Sequence, residues 1–211
     1  MKGLLIFVFI ISFPGLIFSE EPAKFKIASD LPSYKVLNGY REKFTCLSDG
    51  TFFSGMHWNH KIKIYIKGDT RAYVKNHIQY LLRFLSDDLD EDLEDTVYDA
   101  IGESFSYEPG TIIIKENYLE QNGQLLPLFL TVMIKHKAGY EPSSGDWEYL
   151  KISKEGSLIL GGKASNAAVK KDCVECHENL KAQDYTFAST LGRVDGNHLE
   201  KLIKSLHRVK D

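Results

Sequence analysis

Sulfur is scarce in this chain, with three cysteines and three methionines among 211 residues. Three cysteines are too few for a disulfide-stapled scaffold, and the odd number leaves one thiol outside any pairing. Proline is sparse too, at six residues, and no Pro-, Gly- or Ser-rich linker divides the sequence, so a single domain is expected. Basic residues are outnumbered: 26 Lys and Arg face 29 Asp and Glu, for a formal net charge of −3. That balance gives no footing for binding nucleic acid or an anionic membrane. Also missing are a phosphate-cradling glycine loop, a Ser-His-Asp order and a metalloprotease helix, which removes the commonest nucleotide-binding and hydrolytic classes.

Long apolar runs are confined to the start. Met1-Lys2 is a short basic opening, and Leu4 to Phe18 is almost wholly apolar. Pro14-Gly15 interrupts this run, whose length of about fifteen residues falls short of the roughly twenty that span a bilayer. It reads as an export signal over residues 1–19, cleaved after Ser19. The alternative is an uncleaved amino-terminal anchor, because Ile17-Phe18-Ser19 is an imperfect small-residue cleavage site. Either way residues 20–211 are expected outside the cytoplasm, periplasmic or secreted. Losing residues 1–19 removes a single charge, Lys2, and takes the net charge to −4.

Against that sparse background one pentapeptide stands out, Cys173-Val174-Glu175-Cys176-His177. A Cys-x-x-Cys-His run is the attachment signature of c-type haem: two thiols add across the vinyl groups, and the next histidine can reach the iron. Zinc would need two further ligands, and a redox dithiol would need a βαβ setting that the flanking residues do not supply. The remaining cysteine, Cys46 in Phe44-Thr45-Cys46-Leu47, is expected to be a buried small hydrophobe.

Periodicity fills in the framework. Lys61 to Lys67 alternates polar and apolar residues, so Ile62, Ile64 and Ile66 should face a core from one strand. Tyr73, Val74, Ile78, Leu81, Leu82, Leu85, Leu89, Leu93 and Val97 recur at three- and four-residue steps and predict a helical region that breaks near Ser86. The acidic run Asp87 to Asp95 lacks the glycine and ligand spacing of a calcium loop and reads as a solvated helix face. Thr111 to Tyr118 is a β-branched run, Asn122-Gly123 marks a hairpin, and Leu128 to Lys135 is the return strand. Further strands are expected over Trp147 to Ile152 and Ser157 to Leu160, and helices over Ala167 to Leu180 and His198 to Val209. Strands in hairpin order followed by helices predict an α+β fold, mainly antiparallel sheet with flanking helices.

Four elements in order carry a family resemblance: Pro109-Gly110-Thr111-Ile112-Ile113-Ile114-Lys115-Glu116, Gly145-Asp146-Trp147-Glu148-Tyr149, Cys173-x-x-Cys176-His177 and Asp184-Tyr185-Thr186-Phe187. Over roughly residues 50 to 190 the chain resembles the cytochrome P-460 family. The resemblance implies a mostly antiparallel β fold, usually homodimeric, holding one covalently attached haem c with His177 on the iron and an open position opposite. It implies oxidation of hydroxylamine in members where a lysine, here Lys115, is bonded to the haem edge, with a redox partner protein taking the electrons. In those members a distal carboxylate lies four positions before a lysine of the return strand. Aligned on Lys135, that position is Thr131, which is no general base at neutral pH; His57, His60 or Glu116 are candidates to substitute.

Two other readings stand beside it. The related cytochrome c-prime-beta proteins bind nitric oxide at an apolar distal face, which Phe52, Phe53, Phe105 and Phe129 could provide. A plain electron-transfer cytochrome would want a methionine ligand, and only Met56 and Met133 follow the leader. Strand alternation places Lys115 on one face with Thr111, Ile113 and Asn117. Drawn into apolar surroundings, its amine would be neutral and nucleophilic; at a sheet edge its stem would cover Ile113 and its ammonium reach water. Trp147, Tyr149, Tyr185 and Phe187 are candidate ring contacts of the haem.

Overall fold

The computed structural model describes residues 25–27, 32–48, 51–54, 60–68, 70–85 and 106–188. The proposed leader, His57, Met56, Phe105, the acidic run 87–95 and the terminal helix 198–209 lie outside the described residues. A seven-stranded antiparallel sheet organises the rest: β1 (Thr45–Cys46), β2 (Phe52–Phe53), β3 (His60–Lys67), β4 (Ile112–Gln121), β5 (Gln124–Lys135), β6 (Trp147–Ser153) and β7 (Leu158–Gly162). Its order is β1-β3-β4-β5-β6-β7, with β2 also paired to β3. Helix α1 (Tyr40–Lys43) precedes the sheet, α2 (Thr70–Leu85) follows β3, and a helical stretch from Ala167 to Gln183 follows β7. The α+β expectation holds.

Local chemistry explains the elements. Asn122 (φ 52°) and Gly123 (φ 77°) form the two-residue turn joining β4 to β5, both in the left-handed region that such hairpins need. The return strand begins four residues earlier than the hydrophobic run indicates, at Gln124, because the turn fixes pairing from Gln121↔Gln124 onward. Pro127, which lacks an N–H, is accommodated where the β4–β5 register shifts between Asn117 and Tyr118.

Directly opposite residues of an antiparallel pair share a face. One face carries Ile62, Ile64, Ile66, Ile113 and Met133 and is covered by Tyr73 of α2 and by Val169, Val174 and Tyr185. The reverse face carries Tyr65, Ile112, Ile114, Tyr118, Leu130, Val132, Leu150 and Ile152 and is covered by Phe25, Leu37, Tyr40 and Phe44. Each isoleucine buried this way contributes roughly 2 kcal/mol. Cys46 corrects its sequence reading: it is exposed, because β1 is a two-residue strip at the sheet margin whose side chains face outward. The stretch from Ala167 to Gln183 is not one uniform helix either. A π-helical turn over Lys170–Val174 sits between short α-turns, and Glu178–Gln183 closes as a 3-10 helix.

Candidate functional site

Between the first sheet face and the helical stretch lies a cavity of about 200 Å³ that opens to solvent. Its sheet wall includes Ile62, Ile64, Ile113, Lys115, Thr131, Met133 and Tyr149; its opposite wall includes Cys173, Cys176, His177 and Phe187. The pentapeptide and Lys115, 58 or more positions apart in sequence, thus line one space. The π-turn supplies one extra residue per turn just ahead of Cys176, the kind of local widening found at functional sites.

Lys115 sits in the middle of the sheet, opposite Ile64 on β3 and Thr131 on β5. The edge-strand reading of this lysine therefore fails: β4 has neighbours on both sides, and the side chain enters the cavity. Burial lowers its pKa from the ordinary 10.5 to about 8, only partly countered by the Cys173 thiol. The neutral, nucleophilic amine is accessible near physiological pH.

His177 is held on three sides. Its Nδ1 is 2.6 Å from the Tyr185 carbonyl, so that nitrogen carries the proton and donates. Nε2 is left with its lone pair. The rings of Tyr149 and Phe187 meet the imidazole edge-on, at 5.3 and 5.1 Å between centroids. Burial pushes its pKa down to about 4, outweighing the carbonyl contact, which raises it. The imidazole is neutral at pH 7, as a metal ligand must be. Burial first, and Asp172 second, push the Cys173 thiol up to about 11.

The Tyr185 carbonyl is itself fixed from several elements. Lys135 Nζ lies 2.7 Å from both carboxylate oxygens of Asp184 and donates to the Gly145 carbonyl at 2.7 Å. The Tyr107 amide donates to Asp184 at 2.8 Å, and Trp147 Nε1 donates to the Asp184 carbonyl at 2.9 Å. From α2, Asn76 donates to the Thr186 carbonyl at 2.8 Å, and His77 Nδ1 bonds the Ala188 carbonyl. The separated motifs Gly145-Asp146-Trp147 and Asp184-Tyr185-Thr186-Phe187 are therefore one assembly. Lys135, Asn76 and His77 were missed as site residues. The available signal was two adjacent polar residues, Asn76-His77, within the period of an apolar helix face.

Other sequence candidates divide. Thr131 lines the cavity beside Lys115, as the alignment expects. Glu116 cannot stand over the site. It points to the reverse face, where Arg41 Nε lies 2.6 Å away, Tyr118 donates at 2.6 Å and Tyr40 also donates. His60 and Phe129 pack on each other at 5.6 Å, and Lys151 Nζ lies 4.7 Å over the Phe129 ring, at the margin of the cavity face. Burial, then the charges of Lys115 and Lys151, lower the pKa of His60. Phe52 and Phe53 form β2. Trp147 is fully buried behind the cavity, whereas Tyr149, Phe187 and Met133 line it.

These residues fit a haem. A histidine with its Nδ1 committed offers Nε2 to iron, two thiols stand in the same wall, and the remaining walls are largely apolar. The Tyr149 hydroxyl is buried with no hydrogen-bond partner among the described residues, a polar atom left over for something bound in the cavity. Zinc fits less well, since among the described residues no group of three or more His, Cys, Asp or Glu side chains gathers as a cation site.

No curated protein matches the chain. A family model does, that of cytochrome P460, over residues 93–188, a span that takes in Lys115, the pentapeptide and the Asp184–Phe187 segment. With its cavity, its histidine and its antiparallel sheet, the segment over residues 93–188 fits a domain of the cytochrome P460 family, which supports a haem-binding cytochrome.

Proposed function

We propose that the chain is an exported c-type cytochrome with one haem, bound through the thiols of Cys173 and Cys176, with His177 on the iron and Lys115 bonded to the ring edge. The observation that carries this reading is the shared cavity of Lys115 and the pentapeptide. The apolar leader at residues 1–19 supports a periplasmic or secreted location, where such haem is attached. When bound, the haem supplies redox chemistry and an axial position for a small nitrogen compound, hydroxylamine in the first instance. The protein's part is to hold the neutral imidazole of His177 in one orientation and to present the Lys115 amine in surroundings that keep it largely deprotonated above about pH 8. A redox partner protein would accept the electrons, and a homodimer is the assembly this reading carries.

A second reading has its own support. Thr131 occupies the place of a distal carboxylate, and the one carboxylate lining the cavity among the described residues, Asp172, flanks Cys173. Thr131 accepts no proton at neutral pH. Binding of nitric oxide without turnover needs none, and an apolar wall of Ile62, Ile64 and Ile113 suits an uncharged diatomic.

The test is the ferric and dithionite-reduced optical spectrum of the matured protein beside that of Lys115→Leu, with its mass measured. One added haem and a broad, red-shifted reduced Soret band that reverts in the variant are expected. An ordinary five-coordinate c-haem spectrum, unchanged by the substitution, rejects the lysine link and leaves nitric oxide binding. A low-spin six-coordinate spectrum supports an electron carrier instead.

A further inference from the structure

We propose that the buried Lys135–Asp184 ion pair is a positioning device for the axial histidine: it holds the Tyr185 carbonyl on His177 Nδ1 and so sets how much negative charge the imidazole carries. This rests on the reading that His177 binds the iron.

The backbone between the pair and the histidine is under strain. Asp184 (φ 47°) and Tyr185 (φ 60°) are consecutive non-glycine residues in the left-handed region, which L side chains disfavour. Such a conformation persists only where the surroundings over-determine it. Here they do. The Lys135 ammonium clamps the Asp184 carboxylate and the Gly145 carbonyl together, with both charged side chains about nine-tenths buried. Gly145 (φ 66°) comes so close to the Tyr185 ring that a Cβ there would lie 2.5 Å from it. Asn76 and His77 hold the chain beyond, at Thr186 and Ala188. The turn directs the Tyr185 carbonyl at His177 Nδ1 with no slack for it to relax away.

Stability alone does not call for such a device, because replacing a buried ion pair by apolar residues of similar volume is often neutral or stabilising. What the pair supplies is placement. A carbonyl accepting from Nδ1–H raises the basicity of Nε2, strengthens its bond to iron and favours the ferric state. Lys135 touches neither the histidine nor the haem pocket directly; it acts through Asp184 and Tyr185.

The measurement is resonance Raman of the reduced holoprotein, for the iron–histidine stretch, together with the midpoint potential, for wild type, Lys135→Met, Lys135→Met/Asp184→Leu and His177→Gly. Expected are a downward shift of the stretch and an upward shift of the potential in both Lys135 variants. The double variant leaves no uncompensated buried charge and supplies the result if the single one fails to accumulate. A stretch present in wild type, absent in His177→Gly, and unmoved in the Lys135 variants overturns the positioning role while leaving the ligand assignment intact. A wild-type protein with no such stretch, indistinguishable from His177→Gly, overturns the ligand assignment itself.

Discussion

Lys115 and Glu116 are neighbours in sequence and opposites in structure. Both are ionisable residues set into the middle of one sheet, and strand alternation sends them to different faces. Glu116, fully buried on the reverse face, is met by a guanidinium at 2.6 Å and by two tyrosine hydroxyls. Every element of that arrangement offers the carboxylate a hydrogen-bond donor. Lys115 instead opens on an apolar cavity, and its surroundings act against the charge, bringing its pKa to about 8. The two faces thus treat their buried ionisable side chains differently: one surrounds it with hydrogen-bond donors, the other sets it against an apolar cavity that lowers its pKa.

The sharpest way to break this comparison is to unmatch Glu116. Arg41→Met leaves a buried carboxylate without its cation and is expected to cost about 3–5 kcal/mol of folding stability, read by denaturant unfolding. The haem spectrum should stay unchanged, since the reverse face does not line the cavity. A spectral change would mean that the two faces are not independent.

The next largest effect concerns Lys115 in the protein before haem attachment. Its folded pKa lies below its unfolded one, so between about pH 8 and 10.5 the unfolded chain binds more protons and stability rises with pH. Below about pH 8 both states are protonated and the full burial penalty, about 3 kcal/mol, is present. Lys115→Leu should therefore stabilise the haem-free protein at pH 7 and flatten the rise between pH 8 and 10.5. A variant that keeps the rise would assign it to another group.

The smallest effect comes from making Lys115 resemble Glu116. Thr131→Glu places a carboxylate directly across the strands, and an opposite charge at that range raises a lysine pKa by about one unit or more. The stability rise should then start above about pH 9. An unmoved stability curve would show that the new carboxylate turns away from the amine.

Much of this was legible in the sequence because it is local. The pentapeptide, the alternation that faces Ile62, Ile64 and Ile66 inward and the Asn122-Gly123 turn all follow from short-range patterns, whereas the Lys115–Thr131 pairing depends on the register shift between Asn117 and Tyr118. Alternation also forbids Glu116 from sharing the cavity with Lys115, so naming it as a distal base neglected a rule the strand itself states. Cys46 was misjudged because apolar neighbours say nothing about a strand's position in the sheet. The Lys135–Asp184 contact spans 49 residues, and only the folded topology brings its partners together. The π-turn at Lys170–Val174 was hidden for a different reason: helix periodicity does not register a single inserted residue.

Among the described residues the reverse-face core begins at Phe25, whose ring meets Tyr118 edge-on at 5.4 Å. Counting from the cleavage proposed after Ser19, five residues, Glu20 to Lys24, precede that first sealing side chain. A cleavage at that position would leave the Phe25–Tyr118 contact intact.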